Sequence, residues 1–113
     1  MAAPSLRSSA LAAALLLPFS AAAQDLQAKR LAFIKKGITA GVFYKLERPA
    51  SLCHLWVGPQ FAGLPFDAKE NAVNVVYAYC ITQRPAEKIV VLKHFATGKQ
   101  IGTYADGWGL RLE

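Results

Sequence analysis

Four side chains have the types from which catalysis or metal binding would have to be built. Cys53 stands beside His54 in SLCHLWVGP, Cys80 ends VVYAYC, and the other histidine, His94, lies in VLKHF. Cysteine and histidine are ligands for zinc and copper, and a metal-binding protein is one reading. Spacing argues against it. Neighbouring side chains on a strand point to opposite faces, so Cys53 and His54 cannot easily share an ion, and neither C-x-x-C nor H-x-x-x-H occurs. A cysteine nucleophile needs its thiolate held against an imidazole. The same alternation disfavours His54 for that role; His94 could reach, but in an oxidising compartment Cys80 would compete by forming the disulfide.

Two imidazoles and a lysine are also the groups that cleave RNA by general acid–base chemistry. His54, His94 and Lys93 supply those types, and a ribonuclease-like hydrolase using His54 and His94 is the enzymatic alternative. No spacing singles them out, there is no G-x-S-x-G or phosphate loop, and no acidic pair has glycosidase-like local spacing. No catalytic residue, metal ligand or cofactor is therefore assigned. Two cysteines in a small exported domain most simply form one disulfide, Cys53–Cys80. Closing that loop stabilises the fold by about 3–4 kcal/mol in the chain-entropy view.

Export is read from the start of the chain. Residues 1–23, MAAPSLRSSALAAALLLPFSAAA, place Arg7 ahead of an apolar run from Ala10 to Leu17. Pro18 breaks the run, and Ala21 and Ala23 supply small residues at a cleavage point before Gln24. That is the pattern of a secretory signal peptide cleaved after Ala23. The run is far shorter than the roughly 20 residues that span a bilayer, and no later segment is a membrane span. The expectation is a periplasmic or secreted bacterial protein whose residues 24–113 make one small domain.

The 113 residues carry 13 Lys+Arg against 7 Asp+Glu, a formal charge of +6. The leader contributes only Arg7 to that surplus, so the domain is drawn to anionic surfaces. Lys29, Arg30, Lys35 and Lys36 are the densest basic group, and they suit the solvated face of a helix or an interaction patch. The charges are otherwise scattered, which makes a nucleic-acid partner the weaker expectation beside an envelope protein or another anionic ligand. Trp108, between glycines in DGWG, is the aromatic residue best placed to be an exposed contact.

These residues must be positioned by a small set of elements. Leu31, Ile34 and Ile38 recur at helical spacing after Asp25, a candidate N-cap, with Gly41 as the terminating residue. Residues 42–47 alternate as a strand does, a turn follows at Arg48–Ser51, and residues 52–57 form the second strand. In DAKENAVNVVYAYCITQ, Asp67 and Glu70 have capping-box spacing, and Lys69, Ala72, Val73, Val76 and Cys80 share one helical face. Residues 89–95 and 100–105 form a hairpin around Ala96-Thr97-Gly98-Lys99, and LRLE can add a short edge strand. The expected fold is two-layer α+β, an αββαββ order with a four-stranded, mainly antiparallel sheet and both helices on one face. So many apolar residues would leave the other sheet face sticky, which suggests a partner or a homodimer.

The segments GVFYKLE, LWVGPQF, LPFDAKENAVNVVYAY and VVLKHFATGKQIGTY resemble a group of small, uncharacterised exported bacterial proteins. In that group a GPxF…FDxK segment precedes an aromatic helix and a TGKxIGxY-like hairpin follows. The resemblance covers residues 41–104 and implies a single domain, with no activity attached. His94 stands where the pattern has an acidic or polar residue, which counts against it as a shared catalytic group. The expected function is thus a non-enzymatic binding or interaction module of the envelope.

Overall fold

A computed structural model describes the backbone of residues 2–49 and 52–113, and the side chains of residues 21–49 and 52–113. The elements run α1 (Ala2–Thr39), β1 (Phe43–Glu47), β2 (Cys53–Val57), α2 (Phe66–Gln83), β3 (Val90–His94), β4 (Gln100–Ala105) and β5 (Gly109–Leu112). Ala50 and Ser51 of the expected first turn lie outside the described residues, as do most side chains of the expected leader.

Two helix starts differ from the sequence reading. Helix α1 continues across Gln24 and Asp25, so Asp25 is not its N-cap and instead pairs with Lys29 one turn later at 3.4 Å. Helix α2 begins after Pro65 without a side-chain cap. Glu70, expected to close a capping box, accepts a hydrogen bond from the backbone N–H of Leu110 at 2.9 Å. A tertiary donor on β5 has taken the carboxylate that local spacing assigned to the helix end. Gly41 does terminate α1 with φ of +80°, and Val42 N–H bonds back to the Gly37 carbonyl at 2.9 Å. Glycine adopts that left-handed backbone without the Cβ clash other residues meet.

The sheet has five strands in the order β1-β2-β3-β4-β5 and is mixed. The pairs β1–β2, β3–β4 and β4–β5 are antiparallel, while β2 and β3 are parallel. This corrects the four-stranded αββαββ expectation to αββαβββ. The reason is connectivity: α2 carries the chain back along the sheet between β2 and β3, and such a crossover leaves its two strands parallel. The fifth strand forms because Gly109, at φ of +70°, turns the chain into register with β4.

Both helices lie on one face. Helix α2 packs over β2 to β5, and α1 packs against α2 and β1. The core between the layers holds Cys53, Leu55 and Val57 of β2, Val90 and Leu92 of β3, Tyr104 and Leu110. Ala72, Val73, Val76 and Cys80 of α2, with Ile34, Phe43 and Phe61, complete it. Burial of these apolar side chains, each worth about 1.5–3 kcal/mol for the larger ones, is what holds helix layer to sheet. Cys53 and Cys80 form the expected disulfide, joining β2 to α2 across 27 positions of chain.

Arg30 fastens the helices to each other, donating to Gln27 Oε1 and to Thr82 Oγ1 at 2.7 and 3.2 Å. Gln27 itself donates to the Tyr79 carbonyl at 3.0 Å. None of the helices in the structure is long and apolar enough to cross a membrane, among the described residues.

Candidate functional site

Alternation along the strands sorts the side chains to one face or the other, with bulges between Phe43 and Lys45 and at Leu92–Lys93 that bring Lys45 and Gln100 to the second face, which carries no helix. Following the register across the sheet, Lys45 of β1, Trp56 of β2, Lys93 of β3 and Gln100 of β4 lie in one row. The adjacent row is Glu47, His54, Val91, Thr103 and Arg111, one residue from each of the five strands. The expected apolar sheet face is therefore corrected. Apolar strand residues went to the helix side, and the open face is mostly polar, with a cationic surplus.

Trp56 organises the first row. The Lys45 ammonium lies 4.5 Å from the centroid of its ring and the Lys93 ammonium 5.1 Å away. Each contact draws on the attraction of a cation to the ring face, about 0.5–1 kcal/mol at an exposed site. Lys45 and Lys93 come from the strands on either side of β2, so the indole stands between two positive charges. Lys45 also pairs with Glu47 at 3.6 Å. Both partners are about half exposed, at 43% and 54%, and such a pair contributes little to stability. At the far edge, the Arg111 guanidinium lies 5.2 Å from the Trp108 ring, and Trp108 is exposed.

His54 sits beside this row, its ring 6.0 Å from that of Trp56. Burial and the neighbouring Lys93 charge hold its imidazole below the ordinary 6.5, while Glu47 pulls the other way. The folded state thus prefers the neutral ring. Its contribution to stability is complete above 6.5 and declines as pH falls below that value and through the folded pKa. The thermal midpoint of the native protein should fall on acidification across that window more steeply than that of His54→Gln. Parallel midpoint-versus-pH curves for the two proteins would refute the assignment.

The residues singled out from sequence are only partly brought together. Cys53 and Cys80 meet in the disulfide, and both are fully buried. His54 and His94 do not meet. His54 aligns with Val91 on the open face, whereas His94 aligns with Val57, a core residue of the opposite face. His94 stacks on Phe95 with ring centroids 4.7 Å apart, and its Nδ1 accepts the Ala96 N–H at 3.1 Å. It shapes the β3–β4 turn. The two-imidazole arrangement needed for acid–base cleavage of RNA is not assembled by these positions.

The basic helix group is likewise dispersed. Lys29 is paired with Asp25, Arg30 is engaged with α2, and Lys35 and Lys36 line two different grooves flanking α1. On the open face Lys45 and Lys93 share a row and Arg111 lies in the next; the sequence offers Lys93 only as a partner of the histidines, and marks neither Lys45 nor Arg111. The usable signal is the strand alternation itself. It places Lys45 with Glu47, His54 with Trp56 and Val91 with Lys93 on one face within each strand, but it cannot say which strands are neighbours.

One buried charged centre also escaped the sequence reading. Glu87 is fully buried and receives Arg48 Nε at 2.9 Å and an Arg84 guanidinium nitrogen at 3.2 Å. Arg48 further donates to Gln83 and, at 3.1 Å, to the Cys80 carbonyl. A Glu87 carboxylate oxygen and the sulfurs of Cys53 and Cys80 lie within 4.8 Å of one another. The sulfurs are bonded together and the carboxylate is held by two arginines, so the trio is not a free donor set. Comparison with protein-family profiles, with curated proteins and with solved structures finds no match, and the reading of the site rests on this geometry.

Proposed function

We propose that this protein is an exported, non-enzymatic binding module of the bacterial envelope that holds an anionic ligand on the open face of its sheet. The observation that carries the reading is the cross-strand row in which Trp56 stands between the Lys45 and Lys93 ammonium groups. Two cations gathered on a rigid scaffold around one aromatic ring repel each other, and an anion relieves that repulsion. The ring restrains both lysine chains, so less side-chain entropy is lost when a ligand binds. The leader-like residues 1–23, removed after Ala23, would deliver the domain to the periplasm or beyond, where its disulfide is maintained.

Retention on an immobilised polyanion should decline steeply with salt, because screening acts strongly on exposed charges. Lys45→Gln and Lys93→Gln should each weaken binding by about 2–5-fold. Glu47→Gln should strengthen it, since this carboxylate competes with the ligand for Lys45. Opposite effects from neighbouring neutralisations separate ligand electrostatics from a loss of fold. A native protein that passes every polyanionic matrix unretained at low salt would refute the reading.

A further inference from the structure

Resting on that anion-binding reading, the positions of the charges say more about the ligand. Lys45 is on β1, Lys93 on β3 and Arg111 on β5, so the open face carries a cation on every second strand. Neighbouring strands are about 4.8 Å apart, so Lys45 and Lys93, which share a row, stand about 10 Å apart across the sheet, while Arg111, in the adjacent row, is also offset along the strands. The intervening strands contribute neutral groups to the same two rows: His54 and Trp56 on β2, Thr103 and Gln100 on β4. Cations and neutral hydrogen-bonding groups therefore alternate from strand to strand, with the carboxylates of Glu47 beside Lys45 and of Glu113 beside Gln100 as the acidic groups next to them.

We infer that the ligand is an acidic polysaccharide carrying one carboxylate in every second sugar, laid across the strands so that successive acids meet Lys45, Lys93 and Arg111. A glycan of that kind presents its charges at intervals comparable to two strand spacings, with a neutral sugar between them. The neutral sugars face His54, Thr103 and Gln100, whose polar atoms suit hydroxyl groups. Gln100 already donates to Glu113 at 2.8 Å, so its remaining carbonyl oxygen is the group that can accept from a sugar hydroxyl.

Other polyanions fit this face less well. Single-stranded nucleic acid binds by stacking bases on free aromatic faces along a basic groove. Here the Trp56 ring is flanked by the two lysines and Trp108 carries Arg111. An anionic bilayer is held by charge together with apolar side chains inserted among the headgroups. Val91, an apolar member of the second row, is 8% exposed and cannot insert, and the exposed Trp108 stands at the far edge with its ring against Arg111.

The test is calorimetric titration of the full-length secreted protein with defined probes. These are hyaluronan oligosaccharides of one, two and three disaccharide repeats, polygalacturonate with an acid on every sugar, a single-stranded oligonucleotide, and phosphatidylglycerol vesicles. Affinity for hyaluronan should rise with each added repeat up to three, by about 2–5-fold for each cation engaged. Arg111→Gln should abolish the gain from the third repeat and leave the shorter probes unaffected. Glu47→Gln should tighten all three, which guards against reading a misfolded variant as a lost contact. Tighter binding per charge to polygalacturonate, the oligonucleotide or the vesicles would overturn the alternating-glycan inference while leaving an anion-binding face. Failure of every probe to bind would overturn both.

Discussion

Converting both Cys53 and Cys80 to alanine should lower the unfolding free energy by about 3–4 kcal/mol, and more where the lost sulfurs leave the core underfilled. The bond closes a long loop between β2 and α2, and both residues are fully buried at the junction of sheet and helix. A domain this small has only a few kcal/mol of net stability from its core, so the crosslink is a large share of it. Urea unfolding of the oxidised protein, the reduced protein and the double variant gives the measurement. The midpoint should fall markedly and similarly on reduction and on substitution. An unchanged midpoint would mean that the crosslink contributes nothing to this fold.

The second large effect is expected at Arg48. Its guanidinium reaches Glu87, Gln83 and the Cys80 carbonyl, and it is 17% exposed, whereas Arg84, the other partner of Glu87, is 54% exposed. Arg48→Met would leave a fully buried carboxylate facing only the more exposed cation. Breaking a buried pair from one side costs about 3–5 kcal/mol, because the remaining charge stays desolvated. Arg48→Met combined with Glu87→Leu should recover much of that loss, since neither buried charge remains. Chemical denaturation of the single and double variants decides the matter. A single variant as stable as the native protein, or a double variant no better than the single, would show that Arg48 is not what supports Glu87.

These two centres are one structural unit. Arg48 holds the Cys80 carbonyl, Cys80 is bonded to Cys53, and Glu87 lies against the disulfide. Substitutions at the two sites should therefore be non-additive, as expected for residues that share partners. The unit ties three connections together: the end of β1, the start of β2 and the segment leading from α2 to β3. It is a fastening of the fold, well away in character from the cationic row on the opposite face.

Local chain chemistry alone determined several features of this protein. Two cysteines in a small domain pointed to one crosslink, helical spacing put Lys69, Ala72, Val73, Val76 and Cys80 on one face of α2, of which the last four are buried, and glycines marked the end of α1 at Gly41 and the β3–β4 turn at Gly98. Strand alternation separated Cys53 from His54. Each of these is a local property, set by backbone geometry or by covalent chemistry within a short span of chain.

What only the tertiary structure decided is which local elements became neighbours. Glu70 had the spacing of a helix cap and was taken by a backbone donor on β5, forty positions away. Nothing in the local spacing marks Glu87, yet among the described residues it is a fully buried charge, paired with Arg48 from the end of β1. The pairing of β2 with β3 aligned Trp56 with Lys93, and that of β1 with β2 aligned it with Lys45. Strand order and register are fixed by packing the apolar faces of α2 and the sheet together, a collective outcome with no signature in any one segment. The cationic row exists only as a consequence of that packing.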